Sequence, residues 1–171
     1  MASSPTSVLS LSLAGMLLAA TTAGCTSTPA DEPAESPAAE LARTEFGGLA
    51  LLERDGHRLL TEAEEPQAVM QALHWGVLAT NDAGCFGLEE DGKFVGIAFP
   101  HGSEPEDGAI TWQGERFVLG DELAIGGGWG RSESDSPTRD AFDACEFSSE
   151  GEVFFGQGEM SRGEEWRAER R

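Results

Sequence analysis

The chain has 171 residues, 31 of them acidic against 11 basic, for a formal net charge of −20. That length holds one domain plus appendages. The charge repels phosphate, which excludes nucleic acid as a partner, and it gives no electrostatic docking on anionic lipid headgroups. The acidic excess reads as a solubilising surface rather than a binding site.

Residues 1–24 carry no charged side chain, and Val8–Ala20 is an apolar run of signal-peptide length, too short to span a bilayer comfortably. Thr21-Thr22-Ala23-Gly24-Cys25 follows it. Small residues before a cysteine resemble the lipobox of bacterial lipoproteins, although Thr22 stands where that motif usually has Leu and no Lys or Arg lies near Met1. The resemblance implies that residues 1–24 are a signal peptide and that Cys25 receives diacylglycerol as the mature N-terminus. The expected location is the extracytoplasmic face of the cell membrane, with the lipid as the contact to it. Lipidation uses one cysteine and leaves Cys85 and Cys145, an even pair in an oxidising compartment. Neither belongs to a C-x-x-C pair or has a histidine within a few residues, so a structural disulfide is the expected use.

Thr26 to about Thr44 reads TSTPADEPAESPAAELART, with Pro29, Pro33 and Pro37 recurring every four residues. Such a segment buries too little apolar surface to offset its ordering entropy, so residues 25–44 read as anchor and extended stalk. A β domain over 45–158 and a polar tail over 159–171 complete the expected division.

The domain's turns point to hairpins. Asp55-Gly56 joins Leu49–Glu53 to His57–Thr61, placing Leu52 opposite Leu59 and Glu53 opposite Arg58. Pro66–His74 has a helical look, with Pro66 suited to a first turn and Val69, Ala72 and Leu73 on one face. A competing reading runs that stretch into a strand at Trp75–Thr80. Asp91-Gly92 sets Leu88 opposite Val95 and Phe86 opposite Ile97, so that these four share a face with Phe99 while Cys85, Gly87 and Ala98 share the other. Gln113-Gly114 sets Ile110 opposite Phe117. Glu122–Gly126 and Glu152–Gly156 are further strands, Arg131–Ala144 is a polar loop pinned by Cys145, and Ser161–Arg171 reads as a disordered tail. Short, regularly spaced strands indicate a small antiparallel β-barrel or sandwich with at most one short helix.

Gly84-Cys85-Phe86, Phe99-Pro100-His101-Gly102-Ser103, Gly120-Asp121 and Gly126-Gly127-Gly128 with Cys145 together resemble small exported domains of actinobacteria. The resemblance covers about half the chain. It implies a β fold and assigns no activity, substrate or cofactor.

Gly126-Gly127-Gly128-Trp129-Gly130 lacks the following helix and Lys-Ser/Thr pair of a phosphate loop, and reads as a bulge or close backbone approach. His57, His74 and His101 lack metal-ligand spacing, and the acidic groups lack an EF-hand pattern. No Gly-x-Ser-x-Gly or Ser-x-x-Lys motif occurs, and Ser103 lies too near His101 in sequence to make a productive pair with it. No catalytic residue, metal ligand or cofactor follows. The sequence reads as a non-enzymatic binding or structural protein of the envelope, with a protein or the cell wall as partner. The alternatives are a small extracytoplasmic hydrolase, or a ligand- or metal-binding module using His101 and Trp129. A cleft with convergent histidine and carboxylate groups would favour the hydrolase, and a flat apolar patch the first reading.

Overall fold

The structure, a computed structural model, describes residues 40–131, 136–147 and 152–163. Cys25, the signal peptide and most of the stalk lie outside these residues, as does most of the expected tail. The fold is mainly β with one short helix. Its strands are β1 (Ala42–Phe46), β2 (Leu49–Arg54), β3 (His57–Glu62), β4 (Ala72–Thr80), β5 (Phe86–Glu90), β6 (Lys93–Ala98), β7 (Glu104–Glu106), β8 (Ala109–Trp112), β9 (Glu115–Val118), β10 (Glu122–Arg131) and β11 (Glu152–Arg162); the helix α1 (Pro137–Ala144) lies between the last two.

Three tight turns fix the hairpins. Asp55-Gly56, Asp91-Gly92 and Gln113-Gly114 all have positive φ at both residues, the geometry whose twist matches that of paired strands. The resulting registers pair Leu52 with Leu59, Glu53 with Arg58, Leu88 with Val95 and Ile110 with Phe117. The period of two then sorts the apolar side chains. Phe86, Leu88, Ile97 and Phe99 enter one core with Val95 packed against it, while Cys85 and Ala98 enter another.

Pairing runs through β10-β11-β6-β5-β4 and returns to β10. The sheet is therefore barrel-like, with a seam between β11 and β6 that is parallel and only two residue pairs long. Two three-stranded sheets flank it, β1-β2-β3 and β7-β8-β9. Backbone bonds from Arg58 to Gly84 and between Leu60 and Phe99 moor β3 to the barrel strands. The first meander has a core on each face, Ala50, Leu52 and Leu59 facing the barrel core and Leu49 and Leu60 the smaller one. That smaller core holds Phe142 of α1 and both cysteines. Cys85 and Cys145 form a disulfide, with Cα atoms 5.5 Å apart.

Several boundaries differ from the sequence reading. β1 begins at Ala42, inside the expected stalk, because its backbone pairs with β2 and Leu41 packs on the core. Pro66–His74 forms no helix. Burial alternates from Leu73 to Leu78, with His74, Gly76 and Leu78 inward, and a period of two belongs to a strand. The helix instead lies in the segment read as a polar loop. Ser136 caps it by accepting a hydrogen bond from the Arg139 amide, Pro137 occupies the first turn, and Ala141 and Phe142 are its buried face. β11 continues to Arg162 with Met160 buried, past the expected end of the domain.

Candidate functional site

The glycine cluster is a strand, and its glycines are there for contact. Gly127 lies against β11 so closely that a Cβ would sit 1.9 Å from the Phe155 carbonyl oxygen. The ladder between β10 and β11 is irregular there, stepping from Gly127–Gly156 to Ile125–Met160. Two β10 steps thus span four on β11, leaving Gln157-Gly158-Glu159 bulged out of the ladder. A bulge re-aims side chains, and this one turns its residues toward a cleft.

That cleft has a volume of about 390 Å³, and the bulge residues Gln157, Gly158 and Glu159 form one wall. Pro100 and His101 come from the turn after β6, Trp112 and Gln113 from the tip of the β8–β9 hairpin, and Glu65 and Pro66 from the segment before β4. The turns are held together. The Trp112 indole N–H donates to the His101 carbonyl at 3.2 Å, and His101 Nδ1 stands 3.1 Å from the Glu62 carbonyl. The Gln157 amide bridges two segments, donating to Glu62 Oε1 and accepting from the Met70 N–H, each at 3.2 Å. Its orientation is therefore fixed without any ligand.

Glu62 is half-buried behind Gln157. Burial pushes its carboxyl pKa upward, against the opposing influence of the Gln157 hydrogen bond and of His101. Ser103 is unsuited to nucleophilic work, since it is 1% exposed and its hydroxyl donates to the Pro100 carbonyl at 2.7 Å. Among the described residues no three His, Cys, Asp or Glu side chains are grouped as metal ligands. What the cleft offers is an oriented indole and a ring of hydrogen-bonding groups, with no Lys or Arg in its lining.

His101 and Trp129, both singled out in the sequence, are not brought together. His101 lines the cleft, whereas Trp129 rests edge-on against His74 and Phe154. The sequence reading missed Trp112, Gln157 and Glu62. Trp112 had one signal, its place beside the Gln113-Gly114 turn. On β4, the face opposite His74 presents Leu73, Trp75 and Val77 to the exterior.

Burial lowers the pKa of His74, against the smaller opposing influence of nearby Glu90. Below the ordinary histidine pKa of about 6.5 the unfolded chain binds a proton that the folded chain resists, so stability must fall as pH drops through that window. Glu62 has the opposite sign. Its raised pKa means the folded carboxyl holds its proton longer, so it removes stability as pH rises through its folded pKa. Denaturation midpoints followed through the histidine range should therefore rise less with pH in His74→Gln than in the parent, and more with pH in Glu62→Gln, which loses the opposing contribution.

Comparison with protein-family models, with curated proteins and with solved structures finds no match for the chain.

Proposed function

We propose that the chain is an envelope protein, tethered by lipid on Cys25 to the extracytoplasmic face of the cell membrane, whose β domain binds cell-wall saccharide without turning it over. The observation that carries this reading is the cleft beside Trp112. A sugar ring presents C–H groups to an aromatic face and hydroxyls to its edge, which suits an indole flanked by Gln113, Gln157 and His101. The volume falls within the usual range for small-ligand sites. The acidic charge and the lack of basic lining groups disfavour anions.

The anchor rests on the apolar run, the small residues and Cys25. The disulfide supports export, since such bonds persist in oxidising compartments, and of the three cysteines it leaves only Cys25 outside it. A hydrolase has less support. The cleft does place His101 in one lining with the carboxylates of Glu65 and Glu159, but His101 is tied to a backbone carbonyl and Ser103, the nearby hydroxyl, is buried and donates to the Pro100 carbonyl.

Calorimetry with purified wall oligosaccharides is the test. Trp112→Ala should weaken binding at least about tenfold, the loss of one stacked aromatic contact; because Trp112 also packs on the main core and donates to the His101 carbonyl, binding is compared at a temperature where the melt shows the variant folded. Cys25→Ala should release the protein from membranes and leave the saccharide affinity unchanged. Equal affinity in Trp112→Ala would remove the cleft from the account, and membrane retention of Cys25→Ala would remove the anchor.

A further inference from the structure

We propose that residues 164–171 dock as a short amphipathic helix on the outer face of β10 and β4, with Trp166 against Trp75 and Val77 and with Arg167 and Arg170 toward Glu122 and Glu89. The proposal is independent of the cleft and of the anchor. Leu73, Trp75 and Val77 stand on one face of β4 and are 39%, 47% and 41% exposed, which leaves an open apolar stripe. β4 is paired on both sides, so an occupant meets these side chains from above and cannot add a strand.

The register builds the rest of the surface. Opposite Val77 lie Glu122 on β10 and Glu89 on β5, and residues opposite one another in a ladder share a face. A carboxylate therefore flanks the stripe on each side. Past Glu122, β10 presents only Ala124 and Gly126 beside Trp75 and Leu73, so the β4 side chains stand above their neighbour strand. Such a face fits a segment carrying both an aromatic group and positive charge. A second copy docked through the same face would oppose carboxylate to carboxylate, and an anionic lipid surface would meet the same repulsion.

The chain supplies the fitting segment at this place. β11 ends at Arg162, and Gly163 is helical. A Cβ built on Gly163 would lie 2.9 Å from Glu122 Cγ, so this side of the turn faces β10. The sequence continues Glu164-Glu165-Trp166-Arg167-Ala168-Glu169-Arg170-Arg171. In a helix continued from Gly163, Trp166, Arg167 and Arg170 come three, four and seven residues on, and share the face that meets Glu122. Glu164, Glu165 and Glu169 fall on the far side. A helix with its side chains is about 10 Å across. Two strand spacings are also about 10 Å, so a helix seated where Gly163 meets β10 reaches β4.

NMR of the full chain is the test. NOEs from the Trp166 ring to the Val77 methyl groups are expected, independent of protein concentration. Trp166→Ala should shift the resonances of Leu73, Trp75 and Val77 and leave those of Trp112 and Gln157 in place; the substituted residue lies beyond β11, and unaltered core resonances show the variant folded. Reversing the charges in the Arg167→Glu, Arg170→Glu variant should abolish the NOEs, whereas Arg167→Lys, Arg170→Lys should keep them. Absent NOEs in the parent, their survival after charge reversal, or their appearance only between labelled and unlabelled copies in a mixed sample would overturn the proposal.

Discussion

Replacing Gly127 with alanine is expected to destabilise the domain by about 3 kcal/mol or more, near the upper end for single substitutions. The added Cβ would lie 1.9 Å from the Phe155 carbonyl oxygen, 2.9 Å from its carbon and 3.1 Å from the Gly156 Cα. All three are backbone atoms, so no rotamer change relieves the clash. β10 and β11 must separate where the bulge begins, and the Gln157 wall of the cleft moves with them. Urea melts of Gly127→Ala and Gly48→Ala would show it. Gly48 has nothing within 4 Å of its Cβ position, and its substitution should stay within about 0.5 kcal/mol of the parent. Similar midpoints for the two variants would contradict the close approach of the strands.

Removal of the disulfide should cost about 2–4 kcal/mol. The cysteines are 60 residues apart, and closing such a loop removes denatured-state entropy worth roughly 4 kcal/mol in the chain-entropy model. The bond also holds α1 against the sheet, because Cys145 caps the helix C-terminus. Asn81 assists by accepting from the Cys85 amide and donating to the Cys145 carbonyl. Both cysteines are fully buried, so reductant should act only when denaturant opens the domain. Thiol titration of the denatured, unreduced protein should find no free thiol at Cys85 or Cys145. The Cys85→Ala, Cys145→Ala double variant should melt well below the parent, and an unchanged melt would show that the bond contributes nothing.

The hairpins were legible because each depends on residues three to thirteen apart. Asp91-Gly92 needs only a dipeptide able to adopt positive φ, and the alternation of Phe86, Leu88, Val95 and Ile97 then fixes the register. The helix was missed because RSESDSPTRDAFDA is polar overall, yet its Ser136-Pro137 start carried a cap and a first-turn proline. Pro66–His74 misled in the opposite direction, since a short apolar run fits either period until its neighbours are known.

The cleft was barely legible, for a different reason. Trp112 meets His101 only because β7 pairs with β8, and Pro105 argues against a strand at β7. Proline is tolerated there because β7 is an edge strand. Gln157 enters the cleft through a bulge whose size depends on the register between β10 and β11. Nothing local to EVFFGQGEMSR announces it. His101 was noticed for its residue type, while its hydrogen-bond partners come from β3 and β8.

The central claim is that the cleft beside Trp112 takes a wall saccharide, and a ¹H–¹⁵N NMR titration of the domain with wall oligosaccharides tests it most directly. The account predicts saturable shifts of the Trp112 indole N–H and the side-chain amides of Gln113 and Gln157, with the saccharide recovered intact. Absent shifts, shifts confined to residues outside the cleft, or cleavage of the saccharide would contradict it.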